Sequence, residues 1–201
     1  MLECRNEVFL CGRVAETPVH SHDSHGKRYY LFYLDTERLS GAIDHLRVLA
    51  SEEQLKPWRL GRGDMVCVEG TLRSFNNRAS EGSRLIIAVL ARTLNSGALP
   101  FENQISIVGT LCKQPIYRRT PLGREITDMI IAVNRRHGRA DYLPAIAWGA
   151  GARVCAQCGI GQRLCLDGRI QSRGYIKVTE AGEQRKVAFE VSVARVEVLE
   201  K

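Results

Sequence analysis

From Asn103 the chain reads NQISIVGTLCK, with apolar and polar residues taking turns, and similar blocks recur to the end. Successive side chains on an extended strand point to opposite faces, so a two-residue period rich in β-branched residues predicts half-buried strands. In the C-terminal half this pattern predicts strands near Gln104–Lys113, Ile126–Asn134, Tyr142–Trp148, Gln162–Gly174 and Arg185–Leu199. The N-terminal half has the same pattern near Glu7–Val14, Tyr29–Asp35, His45–Ala50, Asp64–Phe75 and Arg84–Thr93. Between the third and fourth strands of each set lies a short helix-compatible stretch, SEEQLKPW and then GAGARVCAQC.

The two halves are copies. NEVFLCGRVAETP from Asn6 matches NQISIVGTLCKQP from Asn103, DHLRVLA from Asp44 matches DYLPAIA from Asp141, and GRGDMVCVEGTLRS from Gly61 matches GIGQRLCLDGRIQS from Gly159. The offset stays near 97 until the last hairpin, which is longer in the second copy. A repeat of this length is a duplicated domain rather than a solenoid unit. The predicted units are residues 1–94 and 103–201, joined by a linker over 95–102 with Gly and Pro as breakers. Five strands with a helix between the third and fourth is the pattern of the OB-fold. The expected class is therefore all-β, two tandem five-stranded Greek-key barrels. Gly12, Gly109, Gly70 and Gly168 fall inside strands, where Gly marks a bulge or sharp bend.

Composition narrows the function. The formal net charge is +7. Up to Ser96 there are 13 Lys and Arg against 12 Asp and Glu, and from Gly97 onward 16 against 10, so the excess sits in the second copy. A basic balance favours polyanionic partners. No apolar run approaches the roughly 20 residues of a membrane span, and the N-terminus lacks the pattern of a secretory signal. Seven cysteines, an odd number, suggest a reducing cytoplasm and free thiols, with Cys11, Cys67, Cys112 and Cys165 as small core residues. Cys155 and Cys158 are spaced like half a zinc site but have no second pair nearby, so no metal is expected. No cofactor is expected either, and no nucleophile elbow, Walker loop or zinc-protease motif is present, so the reading is not an enzyme. His20, His22, His25 and His137 are expected in solvated loops, and Trp58 between barrel and helix.

The second copy resembles a known family. NQISIVGTLCKQPIYRRTPLGREITDMIIAVNRR, then DYLPAIAWG, then GQRLCLDGRIQSRGY, is similar as a set to the bacterial single-stranded DNA-binding proteins (SSB). The first copy shares the scaffold but is more diverged, like the tandem two-OB members of some lineages. The resemblance implies sequence-tolerant binding of single-stranded DNA in replication, recombination or repair. It also implies a cytoplasmic, nucleoid-associated location, replication or repair proteins as partners, and a homodimer presenting four OB-folds. It places base stacking at Tyr142, Trp148 and Tyr175. The physics agrees: single-strand binding needs aromatic faces for bases and cations for phosphates. Tyr142 and Trp148 are six apart on one strand and so share a face; packing roles for either are the alternative. Arg118, Arg119, Arg135, Arg136 and Arg173, with Arg139 nearby, cluster beside these aromatics and suit phosphate or base contacts. Aligned on the shared motifs, His45 replaces Tyr142 and Ser51 replaces Trp148 in the first copy. Phe75, with Arg73, lies roughly opposite Tyr175. The second fold is therefore expected to dominate. Two alternatives differ in kind: a protein like primosomal replication protein N that works through protein partners, and an assembly module without DNA binding. Typical family members end in an acidic tail that recruits partners, whereas this sequence ends in VEVLEK, where the last predicted strand finishes.

Overall fold

The computed structural model describes residues 5–76, 85–98, 100–135, 138–179 and 182–200, the side chains of 177–179 and 184–186 excepted. Its first half contains β1 (Asn6–Val14), β2 (Val19–Ser24), β3 (Lys27–Glu37), β4 (Ile43–Ser51), α1 (Glu52–Leu55), β5 (Met65–Asn76) and β6 (Leu85–Ser96). The second half repeats the order with β7 (Glu102–Leu111), β8 (Ile116–Arg119), β9 (Glu125–Asn134), β10 (Ala140–Trp148), α2 (Gly149–Ala156), β11 (Arg163–Thr179) and β12 (Gly182–Leu199). Pairings β1–β3, β3–β4, β4–β6, β6–β5 and β5–β1 close a ring of five strands, and β7–β9, β9–β10, β10–β12, β12–β11 and β11–β7 close a second. Each ring is an OB barrel, as the strand pattern predicts.

The alternation that predicts the strands also fills the barrels. Along β1, Val8 and Leu10 join the hydrophobic core while Glu7 is exposed; along β7, Ile105 and Ile107 are buried while Gln104 is exposed. Gly70 and Gly168 sit where the β5–β6 and β11–β12 registers slip by one residue. A Cβ there would stand 2.3 Å from the Leu90 carbonyl oxygen and 2.2 Å from that of Ser192, closer than any side chain tolerates. Helix α1 is started by Ser51, whose hydroxyl accepts from Gln54 N while the Gln54 side chain accepts from Ser51 N, a reciprocal cap. Helix α2 buries Ala152 and Cys155, and the Thr127 hydroxyl donates to the Ala152 carbonyl. Trp58 packs against the core beside Leu55.

Several elements differ from the sequence expectation. Strands β2 and β8 are additional: the histidines of β2 are expected in a loop, and no strand is predicted at β8. They are short and almost wholly exposed, so they carry no buried alternation to betray them. His20 and His22 therefore lie on a strand, with His25 in the turn after it. Cys11 and Cys67, expected as separate thiols, are joined in a disulfide (S–S 2.18 Å) because the β1–β5 register sets them directly opposite. In the second barrel the same register sets Cys165 against Val108. Cys112, Cys155, Cys158 and Cys165 are free.

The barrels are not beads on a string. β1 pairs antiparallel with β7, from Asn6↔Ile107 to Cys11↔Glu102, which makes one continuous sheet of 12 strands whose order reads alike from either end. Val8 thus faces Ile105, its own counterpart in the other copy. The long hairpins then cross over. Ser172, on the second barrel's hairpin, donates its backbone N–H to Asp44 on the first, and Ser74 makes the same bond to Asp141 on the second. Both aspartates are fully buried, with Arg38 holding Asp44 and both Arg135 and Arg73 holding Asp141. Asn6 and Asn103, which open the two repeats, act as extra backbone units. The amide of Asn6 donates to Leu72 O and accepts from Leu72 N, and Asn103 does the same with Ile170.

Candidate nucleic-acid interface

The outer face of β9 and β10 in the second barrel carries Asp128, Ile130 and Ala132 beside Tyr142, Pro144, Ile146 and Trp148, as their pairing shows. Tyr142 is 50% exposed and Trp148 is 37% exposed, so both rings are open to solvent on one strand face. Trp148 is the residue before α2, and its Nε1 donates to Ser192 Oγ on β12 at 3.2 Å, so the ring is held at one edge. Phe75 reaches this face from the other barrel. Ser74 next to it bonds both Asp141 and the backbone N–H of Tyr142, and the Arg135 guanidinium lies 5.9 Å from the Phe75 ring centre.

The arginines divide into two groups. Arg135 and Arg73, expected to reach phosphate, are about three-quarters buried and spend their donors on Asp141, with Arg135 also bonding Ser74 O. Sequence spacing shows a cluster of cations; it does not show a buried carboxylate between them. Arg118 and Arg119 are exposed on β8. Arg118 forms a two-pronged pair with Asp128 at 2.6 and 3.2 Å, and this hydrogen bonding holds its guanidinium protonated even more firmly than usual. Arg119 lies 3.7 Å from Glu125. The Tyr117 hydroxyl bond, with Arg153 and Arg119 nearby, holds the Glu125 carboxyl below its usual range. Exposed pairs like these are worth little and exchange readily for other anions. Arg173 is exposed, 3.6 Å from Glu190. Arg136 lies outside the described residues, as does His137.

Tyr175 is not beside Tyr142 and Trp148. It stands, 37% exposed, three residues beyond Ser172 on the hairpin that docks against the first barrel. The matched locks at Ser74 and Ser172 also set the alignment of the hairpins, so Phe75 falls opposite Arg173, two residues short of Tyr175. Each barrel's outer face is thus flanked by the other barrel's hairpin.

The first barrel's face holds residues the motif alignment did not single out. Tyr33 on β3 stacks on His45 with ring centres 4.3 Å apart and planes 8° from parallel, and Arg47 Nε donates to the Tyr33 hydroxyl. Tyr29 stacks on His22, and Tyr30 meets His20 edge-on. The signal was in the sequence, since KRYYLFYLDTE places Tyr29 and Tyr33 on one face of a strand. Among the described residues no group of three or more His, Cys, Asp or Glu could hold a metal ion, and no helix is long and apolar enough to cross a membrane.

The chain is similar to known proteins across both barrels. The Single-strand binding protein family model matches residues 102–199. The single-stranded DNA-binding protein of Deinococcus radiodurans is 25% identical over 96% of this chain and 75% of its own length. Single-stranded DNA-binding protein B of Bacillus subtilis is 35% identical over 36% of this chain and 71% of its own length. Two further curated relatives are each spanned to 63% of their length. The wild-type single-stranded DNA binding protein from Thermus aquaticus superposes with a TM-score of 0.80 at 22% identity, over 99% of this chain and 95% of that one, which establishes the shared two-barrel fold. With the second barrel matched by the family model almost from end to end, and a 35% identical relative spanned over most of its length, the chain belongs to the single-strand binding protein family.

Proposed function

We propose that the protein binds single-stranded DNA, as its relatives' names say of them, that it does so without strong sequence preference, and that its barrel faces are the binding surfaces. The observation that carries this is the pair of exposed rings Tyr142 and Trp148 on one strand face, with Phe75 alongside. Every base has a π-face, so such a platform accepts bases regardless of identity. Arg118, Arg119 and Arg173, themselves exposed, trade their carboxylate partners for phosphates, and Arg139, also exposed, joins them. Arg135 and Arg73 serve the face by holding the hairpin that carries Phe75. In this reading Tyr175 extends the bound strand toward the first barrel.

The test is titration with oligo-dT at two salt concentrations. Each phosphate contact releases counterions, with a slope near −0.7 per contact on single strands, so about four contacts give a log–log slope of about −3. Binding that ignores salt would remove the phosphate contacts, and no binding at all would remove the single-strand reading. Two chains meeting as a homodimer would present four OB-folds and wrap more than the roughly 4–16 nucleotides of one fold. Light scattering that reads a monomer at micromolar concentration with and without DNA would remove that assembly. A role in replication, recombination or repair follows from single-strand binding itself, since those processes expose single strands.

A further inference from the structure

The first barrel lacks a large ring at both places where the second carries its exposed pair. The strand registers show what stands there instead. His45 pairs with Asp35 as Tyr142 pairs with Ala132, and Arg47 pairs with Tyr33 as Pro144 pairs with Ile130. Ser51 pairs with Tyr29 as Trp148 pairs with Ile126. Each missing ring on β4 is therefore matched by an added tyrosine on the neighbouring strand β3, at positions where the second barrel has isoleucine. Tyr29 and Tyr33 are four residues apart, so both stand on the outer face.

We propose that the first barrel stacks nucleobases on Tyr29 and Tyr33, each backed by a histidine, so that its aromatic platform has moved one strand across from β4 to β3. This rests on the single-strand reading above and adds the residues that carry it out in the first barrel.

The local geometry suits that task. His45 backs Tyr33, and its own ring is fixed because Nδ1 lies 2.5 Å from Asp35 Oδ1, yet its side chain stays 47% exposed. His22 backs Tyr29 with ring centres 5.2 Å apart and planes 10° from parallel. The Tyr33 hydroxyl accepts from Arg47, whose guanidinium carbon lies 4.9 Å from the centre of the Phe189 ring on the second barrel's hairpin. A partly buried ring that another ring backs is pre-ordered for stacking and loses little freedom on binding. Arg47 places a cation within the same layer, and Arg173 stands exposed on the crossing hairpin. The platform thus draws on both barrels.

The test uses the full chain and two oligo-dT lengths. One is about 10 nucleotides, within reach of a single fold, and the other is about 30, long enough for both. The variants are Tyr29→Ala/Tyr33→Ala, its Phe/Phe counterpart, and Trp148→Ala, with circular dichroism as the folding check. The double-alanine variant should bind the long strand at least roughly fivefold more weakly and the short strand as the wild type does, while the double-phenylalanine variant binds both normally. Independently of any variant, wild-type protein irradiated with a bromodeoxyuridine-substituted strand should yield cross-links in the tryptic peptide Tyr29–Arg38. Cross-links confined to the second barrel, or unchanged long-strand affinity in a folded double-alanine variant, would overturn the proposal. The single-strand reading would still stand if Trp148→Ala weakens the short strand. A wild-type chain that binds neither strand would instead bring down the single-strand reading first.

Discussion

The two barrels share a frame and differ in what they hang on it. Both close the same ring of strands, place a glycine at the same bulge, and bury an aspartate that receives a serine from the opposite hairpin. The faces part company. The second barrel keeps its exposed rings on β10 and its described cysteines as free thiols; the first carries its rings on β3, backs them with histidine, and joins β1 to β5 through a disulfide. Scaffold positions are tied by backbone contacts that leave no alternative residue. A stacking surface needs only a π-face somewhere within reach of the strand, so it drifts from one strand to its neighbour without loss of the fold.

The largest effect expected from breaking this comparison lies in the locks. Asp141 is held by two arginines and Asp44 by one, so removing each carboxylate strands a different number of cations. Asp141→Ala should cost about 3 kcal/mol of stability and Asp44→Ala about 2 kcal/mol, because a partly buried guanidinium is left unpaired. Urea unfolding followed by circular dichroism measures both. Equal costs would mean that the frame is as symmetric in energy as it is in shape.

Next comes the exposed tryptophan. Trp148→Ala should weaken oligo-dT by about 1–3 kcal/mol, roughly five- to 150-fold. Phe75→Ala should cost less, about twofold to threefold, because that ring is half-covered and flanked by Arg135. Fluorescence anisotropy with a short labelled strand ranks them. A Phe75 effect as large as that of Trp148 would make the hairpin, not β10, the main platform.

The smallest effect concerns sulfur. Burial pushes the Cys155 thiol up to about 11, so at pH 8 only about one molecule in a thousand carries the reactive thiolate. Iodoacetamide should leave Cys155 unmodified in the folded chain and label it after urea, read by peptide mass spectrometry. The same digest without reductant should contain Cys11 joined to Cys67. Finding both as free thiols would erase one difference between the barrels.

The alternation of apolar residues and the duplicated motifs were enough to place ten of the strands and both helices, because each of those strands buries one face. β2 and β8 bury almost nothing and so left no periodic trace. The exposed rings Tyr142 and Trp148 were legible from a six-residue spacing. What escaped was whatever depends on a second segment. Arg135 and Arg73 look like phosphate ligands until Asp141 is seen between them, and Cys11 looks like a lone thiol until β5 is laid beside it. Tyr33 was passed over because motif alignment compares a residue with its counterpart, while stacking compares it with its neighbour across the sheet.

The seam where Val8 meets Ile105 has one more consequence. Residues 97–101 tether β6 to β7, and a tether that short keeps the two copies at an effective concentration of millimolar order or above, so dilution does not part them. In a pair of separate identical chains, every substitution appears on both sides of the axis at once. Once the pair is fused, a tyrosine can become a histidine in one half while the other half stays as it was. The joint between β1 and β7 is in this sense a licence for division of labour, and the unequal faces of the two barrels are how this chain has used it.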